Sequence, residues 1–73
     1  MVIDRVRAII QEVCHLGHTE VALEQDLTAY GLDSARAMDL VIAIENAFEV
    51  EIPDEVMIHL RTASDIVRAL ENL

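Results

Sequence analysis

Between Ser34 and Phe48 the chain reads SARAMDLVIAIENAF, with apolar residues at Ala37, Leu40, Val41, Ile44, Ala47 and Phe48. Intervals of three and four put these side chains on one face of a helix. Neither glycine nor proline interrupts the stretch, and many of its residues are good helix formers. The pattern therefore predicts a long helix over Ser34–Phe48. Ahead of it stands Gly31-Leu32-Asp33-Ser34, where Gly31 permits a turn and Asp33 suits an N-cap. Ser34 then falls at the first helical position, among unpaired backbone N–H groups and the positive end of the dipole. A hydroxyl there stands in a local site for an anion such as phosphate.

An earlier stripe of Ile3, Val6, Ile10 and Val13, with Ile9 at its border, predicts a helix over residues 2–15. Arg5, Arg7, Gln11 and Glu12 fall largely on its other side, and Gly17 supplies a stop. Residues 17–33 form a long loop, which Val21, Leu23, Leu27, Tyr30 and Leu32 can pin across the helices. Leu32 can serve the core or the surface beside Ser34. Residues 49–52 read as a connector, and Pro53 forbids a continuous helix. A short helix follows over residues 54–60, with Asp54 as cap. Val56, Met57 and Leu60 share its inner face, and Ile58 points elsewhere. The last helix begins after Thr62, whose spacing to Asp65 resembles a capping box. Its inward stripe is Ile66, Ala69, Leu70 and Leu73. Three main helices and a short third one, with a long first loop, make an all-α four-helix bundle.

Length and composition narrow the function. A chain of 73 residues makes one domain, over residues 1–73, with no room for a separate catalytic unit. No repeat or interdomain linker is visible, and the chain reads as free-standing. Hydrophobic residues make up 53% of it, with Tyr30 and Phe48 the only aromatics, which suits packed helices better than a sheet. The net charge of −9 is unevenly spread. Residues 1–19 and 56–73 are each balanced, whereas ten acids between Glu20 and Glu55 face Arg36 alone. That field repels nucleic acid and anionic membranes and attracts proteins with basic patches.

Cys14 is the only cysteine, so no internal disulfide forms and a reducing compartment is implied. It reads as a small core or boundary residue, with no cation close in sequence to activate it. Asp4, Arg5 and Arg7 break the one early apolar stretch, so no signal peptide is expected. No apolar run has the length of a membrane span, and the expected location is the cytoplasm. Cys14 and His18 are spaced like a metal pair, but Gly17 lies between them and two ligands are too few for a structural zinc site. Two glycines cannot make a phosphate-binding loop, and a domain this small offers no obvious water-excluding pocket. Intrinsic catalysis is not expected.

The stretch LTAYGLDSARAMDLVIAIENAFEVEIPDE resembles the acyl carrier protein family. There a D-S pair opens the second helix, which ends in Phe and is followed by an acidic I-P-D-E segment. Here these parts are Asp33-Ser34, Leu40 to Phe48, and Glu51-Ile52-Pro53-Asp54-Glu55. The similarity extends, more weakly, over nearly the whole chain. The resemblance implies that Ser34, with Asp33 beside it, receives 4'-phosphopantetheine from coenzyme A through a phosphopantetheinyl transferase. The arm's thiol would hold acyl or aminoacyl cargo as a thioester, so Cys14 is not the working sulfur. Further implied partners are a cargo-loading ligase or acyltransferase and downstream enzymes of fatty acid, polyketide or nonribosomal peptide biosynthesis, met by a monomeric carrier.

The expected partner surface comprises Leu32, Ala35, Arg36, Met38, Asp39, Glu45 and Ile58. Some of these depart from family habit. Fatty acid carriers commonly read GADS and follow the serine with a large apolar residue and an acid, whereas this chain has Leu32, Ala35 and Arg36. Peptidyl carriers more often show GG before the serine pair, which Gly31-Leu32 does not match. A dedicated carrier for polyketide-like, aryl or aminoacyl cargo is the reading that follows. The alternative is a non-enzymatic interaction module whose acidic helix binds a partner while Ser34 merely helps to cap.

Overall fold

A computed structural model describes residues 2–73, which form four α-helices and no strand. They are α1 (Val2–Val13), α2 (Ser34–Phe48), α3 (Asp54–Met57) and α4 (Ala63–Glu71), with a 3₁₀ turn at Leu27–Tyr30. Helix α1 packs against both α2 and α4. Its buried Val6 and Ile10 meet Leu40, Val41 and Ile44 of α2 and Ala63 and Ile66 of α4 in one core. Cys14, Val21, Leu27 and Ile52 complete that core from the connecting segments.

Helix α1 ends at Val13, short of the expected residue 15. His15 takes the left-handed conformation at φ 55, two residues before Gly17. Its N–H donates to Glu12 O, and the Leu16 N–H donates to Gln11 O at 2.9 Å. These two bonds are the Schellman closure that satisfies the last helical carbonyls. The stop therefore falls at a histidine, and Gly17 at φ 62 serves the turn beyond it.

The long loop is tied down by polar contacts as well as by apolar ones. Val21 and Leu27 are buried, while Leu23, Tyr30 and Leu32 are half-buried against the core. The Ala22 N–H donates to the Tyr30 hydroxyl at 2.9 Å, and Arg7 Nε donates to Val21 O at 3.1 Å. The Leu27 N–H donates to Arg61 O, and the Ser64 N–H to Leu23 O, which fastens the loop to the start of α4. Such pairing satisfies backbone groups that a loop crossing a core would otherwise leave unmade.

Helix α2 has the bounds its periodicity predicts. Arg5 closes its far end, with Nη2 donating to Ala47 O at 2.7 Å and the guanidinium 4.3 Å from the Phe48 ring centroid. A cation at a helix C-terminus, stacked on an aromatic face, is doubly favoured.

Helix α3 differs from expectation. Pro53 occupies the cap position and Asp54 is the first residue inside; no side chain caps this end. The Pro53 carbonyl accepts from Val56 and Met57, and regular helix stops at Met57 before a turn that runs on to Leu60. Val56, Met57 and Leu60 do pack on the core.

In α4 the capping box forms as the spacing implied, with Thr62 and Asp65 exchanging hydrogen bonds. Leu73, expected on the inward stripe, is 54% exposed because the helix ends at Glu71. Ala63, Ile66, Val67 and Leu70 carry that face instead. Among the described residues no helix is long and apolar enough to cross a membrane.

Candidate functional site

Asp33 sits in extended backbone at φ −120, and its Oδ1 accepts the Arg36 N–H at 2.9 Å. Its own carbonyl accepts the Ala37 N–H at 2.8 Å, the first bond of the helix. The N–H groups of Ser34 and Ala35 precede that bond and have no carbonyl within the helix to reach. Ser34 is exposed as the first residue of the helix. Upstream, Gly31 closes the 3₁₀ turn at φ 89, where its N–H donates to Leu27 O and Thr28 O. The Leu32 N–H also donates to Leu27 O, at 3.3 Å, and the Leu32 side chain packs on the core. A half-buried anchor thus precedes the exposed Ser34 by two residues.

Around Ser34 the expected partner residues separate into different surfaces. Met38 is 51% exposed one turn along α2, and Ile42 is 48% exposed a turn beyond. Ser34, Met38 and Ile42 recur at intervals of four and share one face. Ile42 was absent from the expected surface. Its signal was the same interval of four, hidden between the core positions Val41 and Ile44. Ala35 and Asp39 are exposed. Asp39 lies about 140° around the helix from Ser34, at 100° per residue.

Three residues have surroundings that the sequence did not convey. Arg36 is half-buried, and its Nη1 lies 3.8 Å from where a Cβ on Gly31 would stand. It does not pair with Asp39; among the described residues the ion pair is Arg68 with Asp65. Cys14 is 4% exposed, and burial pushes its thiol pKa up while the charge of Arg36 pulls it down. The cation near this thiol is therefore supplied by another element. Glu45 is half-buried, with Oε2 accepting the Ile52 N–H at 2.8 Å. Ile58, by contrast, is 72% exposed at the end of α3, as its spacing implied.

A family profile described as "Phosphopantetheine attachment site" matches residues 4–70. The chain belongs to the acyl carrier protein family. A curated relative, the non-reducing polyketide synthase pkiA of Emericella nidulans, is 31% identical over 70 residues. That match covers 96% of this chain but 3% of the synthase, so the carrier spans a small part of its relative's length.

Two solved structures share the fold. The protein Rv0033 from Mycobacterium tuberculosis superposes with a TM-score of 0.91 at 19% identity, covering 99% of this chain and 97% of that one. BlmI, a type-II acyl carrier protein from Streptomyces verticillus involved in bleomycin biosynthesis, gives 0.82 at 21% identity, covering 97% and 83%.

Residues 4–70 thus form a phosphopantetheine carrier domain, and carrier domains of this family work with synthase partners. The geometry at α2 suits the cofactor. A phosphodiester formed on an exposed hydroxyl at this helix N-terminus would meet unpaired N–H donors and the positive end of the dipole. When bound, the cofactor supplies a thiol on a flexible arm.

Proposed function

We propose that Ser34 Oγ is the attachment atom and that the chain carries acyl or aminoacyl cargo as a thioester between partner enzymes. The observation that carries this reading is the exposed Ser34 hydroxyl on the first residue of α2, held there by the Asp33 cap. Modification by a phosphopantetheinyl transferase forms a bond from Ser34 Oγ to the pantetheine-bearing phosphorus of coenzyme A as that phosphorus loses its bond to the bridging pyrophosphate oxygen. The adenosine bisphosphate leaves, and the serine proton passes to a base of the transferase. Asp33 orders the first turn through the Arg36 amide, and Leu32 anchors the approach, so the hydroxyl is offered at a fixed boundary.

Residues 1–73 act in this reading as one carrier domain, monomeric and kept in a reducing cytoplasm. Loading falls to a ligase or acyltransferase, and downstream biosynthetic enzymes accept the cargo. The 31% match to a polyketide synthase supports polyketide-type acyl cargo. The exposed face of Met38 and Ile42, with Ala35, Asp39 and Ile58, would meet these enzymes.

Intact mass after incubation with coenzyme A, magnesium and a phosphopantetheinyl transferase tests the proposal. One added phosphopantetheine, lost in Ser34→Ala, is expected. An unchanged mass of the native chain would leave the interaction module as the better reading. Association with a loading enzyme should also slow as salt rises, because exposed charges are screened beyond about 10 Å at 0.1 M. A rate indifferent both to salt and to Asp39→Lys would remove the acidic surface from the account.

A further inference from the structure

An open cleft of about 620 Å³ runs between α1 and α2, and of the enzyme-facing residues proposed above it takes in Asp39 but not Ala35, Met38, Ile42 or Ile58. Ile9 and Val13 of α1 line one wall, and Ala43 and Ala47 of α2 line the other. Two alanines at an interval of four leave the space that larger side chains would fill. Arg5, near the start of α1, touches Ala47 and Phe48 at the end of α2, so the two helices run antiparallel. Glu12 and His15 therefore fall at the Asp39 end of the cleft, and all three line it. Glu12 and Asp39 are exposed and form no ion pair with each other's neighbours among the described residues. The cleft thus has an aliphatic floor and an end that carries the carboxylates of Glu12 and Asp39 beside His15.

We propose that this cleft is a docking surface for a partner-protein segment presenting an aliphatic side chain beside a lysine or arginine. The charge pairing is with Glu12 and Asp39, and the apolar pairing with Ile9, Val13, Ala43 and Ala47. Size agrees, since clefts of 300–1,000 Å³ hold ligand groups well above a single side chain. Position agrees as well. Asp39 and Ala43 stand about 140° and 180° around α2 from Ser34. A segment seated there leaves Ser34, Met38 and Ile42 uncovered, so a partner can hold the carrier while the attachment face serves another active site.

The test uses isotope-labelled carrier bearing Ser34→Ala, which has no arm, so the outcome is independent of attachment. The probe is a short helical peptide with leucines at i and i+4 and arginines beside them, followed by backbone and methyl chemical shifts. Shifts centred on Ile9, Val13, Ala43 and Ala47 are expected. Filling the cleft by Ala43→Leu should weaken the peptide at least about tenfold, whereas Met38→Ser should change it less than about twofold. Asp39→Asn, which adds no volume, should weaken it about threefold and guards against a folding defect in the filled variant. Shifts centred on Met38, Ile42 or Ile58, equal binding by Ala43→Leu, or no binding would each overturn the proposal. So would equal affinity for a peptide with serines in place of its leucines, or equally tight filling of the cleft by hexylamine alone.

Discussion

Glu45 Oε2 accepts the backbone N–H of Ile52 at 2.8 Å, so an acid of α2 holds the segment that leads into α3. Ile52 is 5% exposed and belongs to the core, which leaves its amide little access to water. The Glu45 carbonyl meanwhile accepts from Glu49 and Val50 as the helix ends in a left-handed residue. One residue thus closes α2 with its backbone and fixes the next turn with its side chain. Glu45→Ala should cost about 1–3 kcal/mol, the usual penalty for a buried donor left unmade. Glu45→Gln keeps an acceptor and should cost less than about 1 kcal/mol. Urea unfolding at constant slope measures both. If Ala and Gln are equally neutral, Glu45 is a docking acid only.

Asp65 ties the start of α4 to the loop before it. Its Oδ2 accepts the Arg61 and Thr62 N–H groups at 3.0 and 3.1 Å, and its Oδ1 pairs with Arg68. Burial alone would raise its pKa, but these hydrogen bonds and the Arg68 charge outweigh it and hold the carboxyl below its ordinary 3.8. A carboxyl with a depressed folded pKa stabilises fully above its unfolded value, near 4, and loses that contribution as pH falls through the folded value. Asp26 is held low in the same direction, first by the Thr28 backbone N–H and then by the Thr28 hydroxyl. Thermal midpoints should therefore fall between about pH 5 and pH 2, and Asp65→Asn should flatten that fall. An unchanged acid limb in the variant would assign the loss to other carboxyls.

What the sequence made legible was what rests on local rules. The bounds of α2 follow from periodicity and a cap within fifteen residues, and Thr62 with Asp65 is a contact three residues apart. Side-chain periodicity also separated Ile58 from Val56, Met57 and Leu60. The rest depended on backbone conformation or on meetings across the fold. A left-handed residue is ordinarily glycine, so the end of α1 was expected from Gly17, not from His15. The Glu45–Ile52 bond spans seven residues through a turn whose shape the sequence does not print. Arg36 and Cys14 are far apart in the chain and near in space.

Arg36 illustrates the consequence. As an exposed helix residue it would tolerate exchange with little change in melting temperature, and only partner choice would alter. In the fold its stem is half-buried and its guanidinium lies against Gly31. Arginine stems contribute packing as well as charge. Arg36→Asp should therefore lower stability by about 1 kcal/mol, within the ordinary range for a packed residue. It should also raise the Cys14 thiol pKa further, because a charge that lowers it has been replaced by one that raises it. Thiolate absorbance during a pH titration reads the second effect. A melting curve and a thiol titration both unchanged would return Arg36 to the open surface.

Ile58 is the most exposed of the large apolar side chains in the described residues, at 72%. Its neighbours on α3 turn inward, so the helix keeps its hold on the core without it. Asp54 and Glu55, both exposed, precede it in the same short segment. An isolated surface isoleucine is common in soluble proteins. An apolar tip flanked by acids, on a protein whose partners must recognise it, is also how an interface core is framed. Ile58→Glu separates these cases. It removes no core contact, so stability should stay within about 0.5 kcal/mol. Attachment at Ser34 should proceed, because the first turn of α2 is capped by Asp33 and takes no hydrogen bond from α3 among the described residues. Loading by a dedicated enzyme should fall about tenfold in kcat/KM, the equivalent of roughly 1.4 kcal/mol at a central contact. Leu60→Glu is the control, since a charge on the inner face should unfold the domain. Loss of the fold in Ile58→Glu would place Ile58 in the core, and undiminished loading would make it an ordinary surface residue.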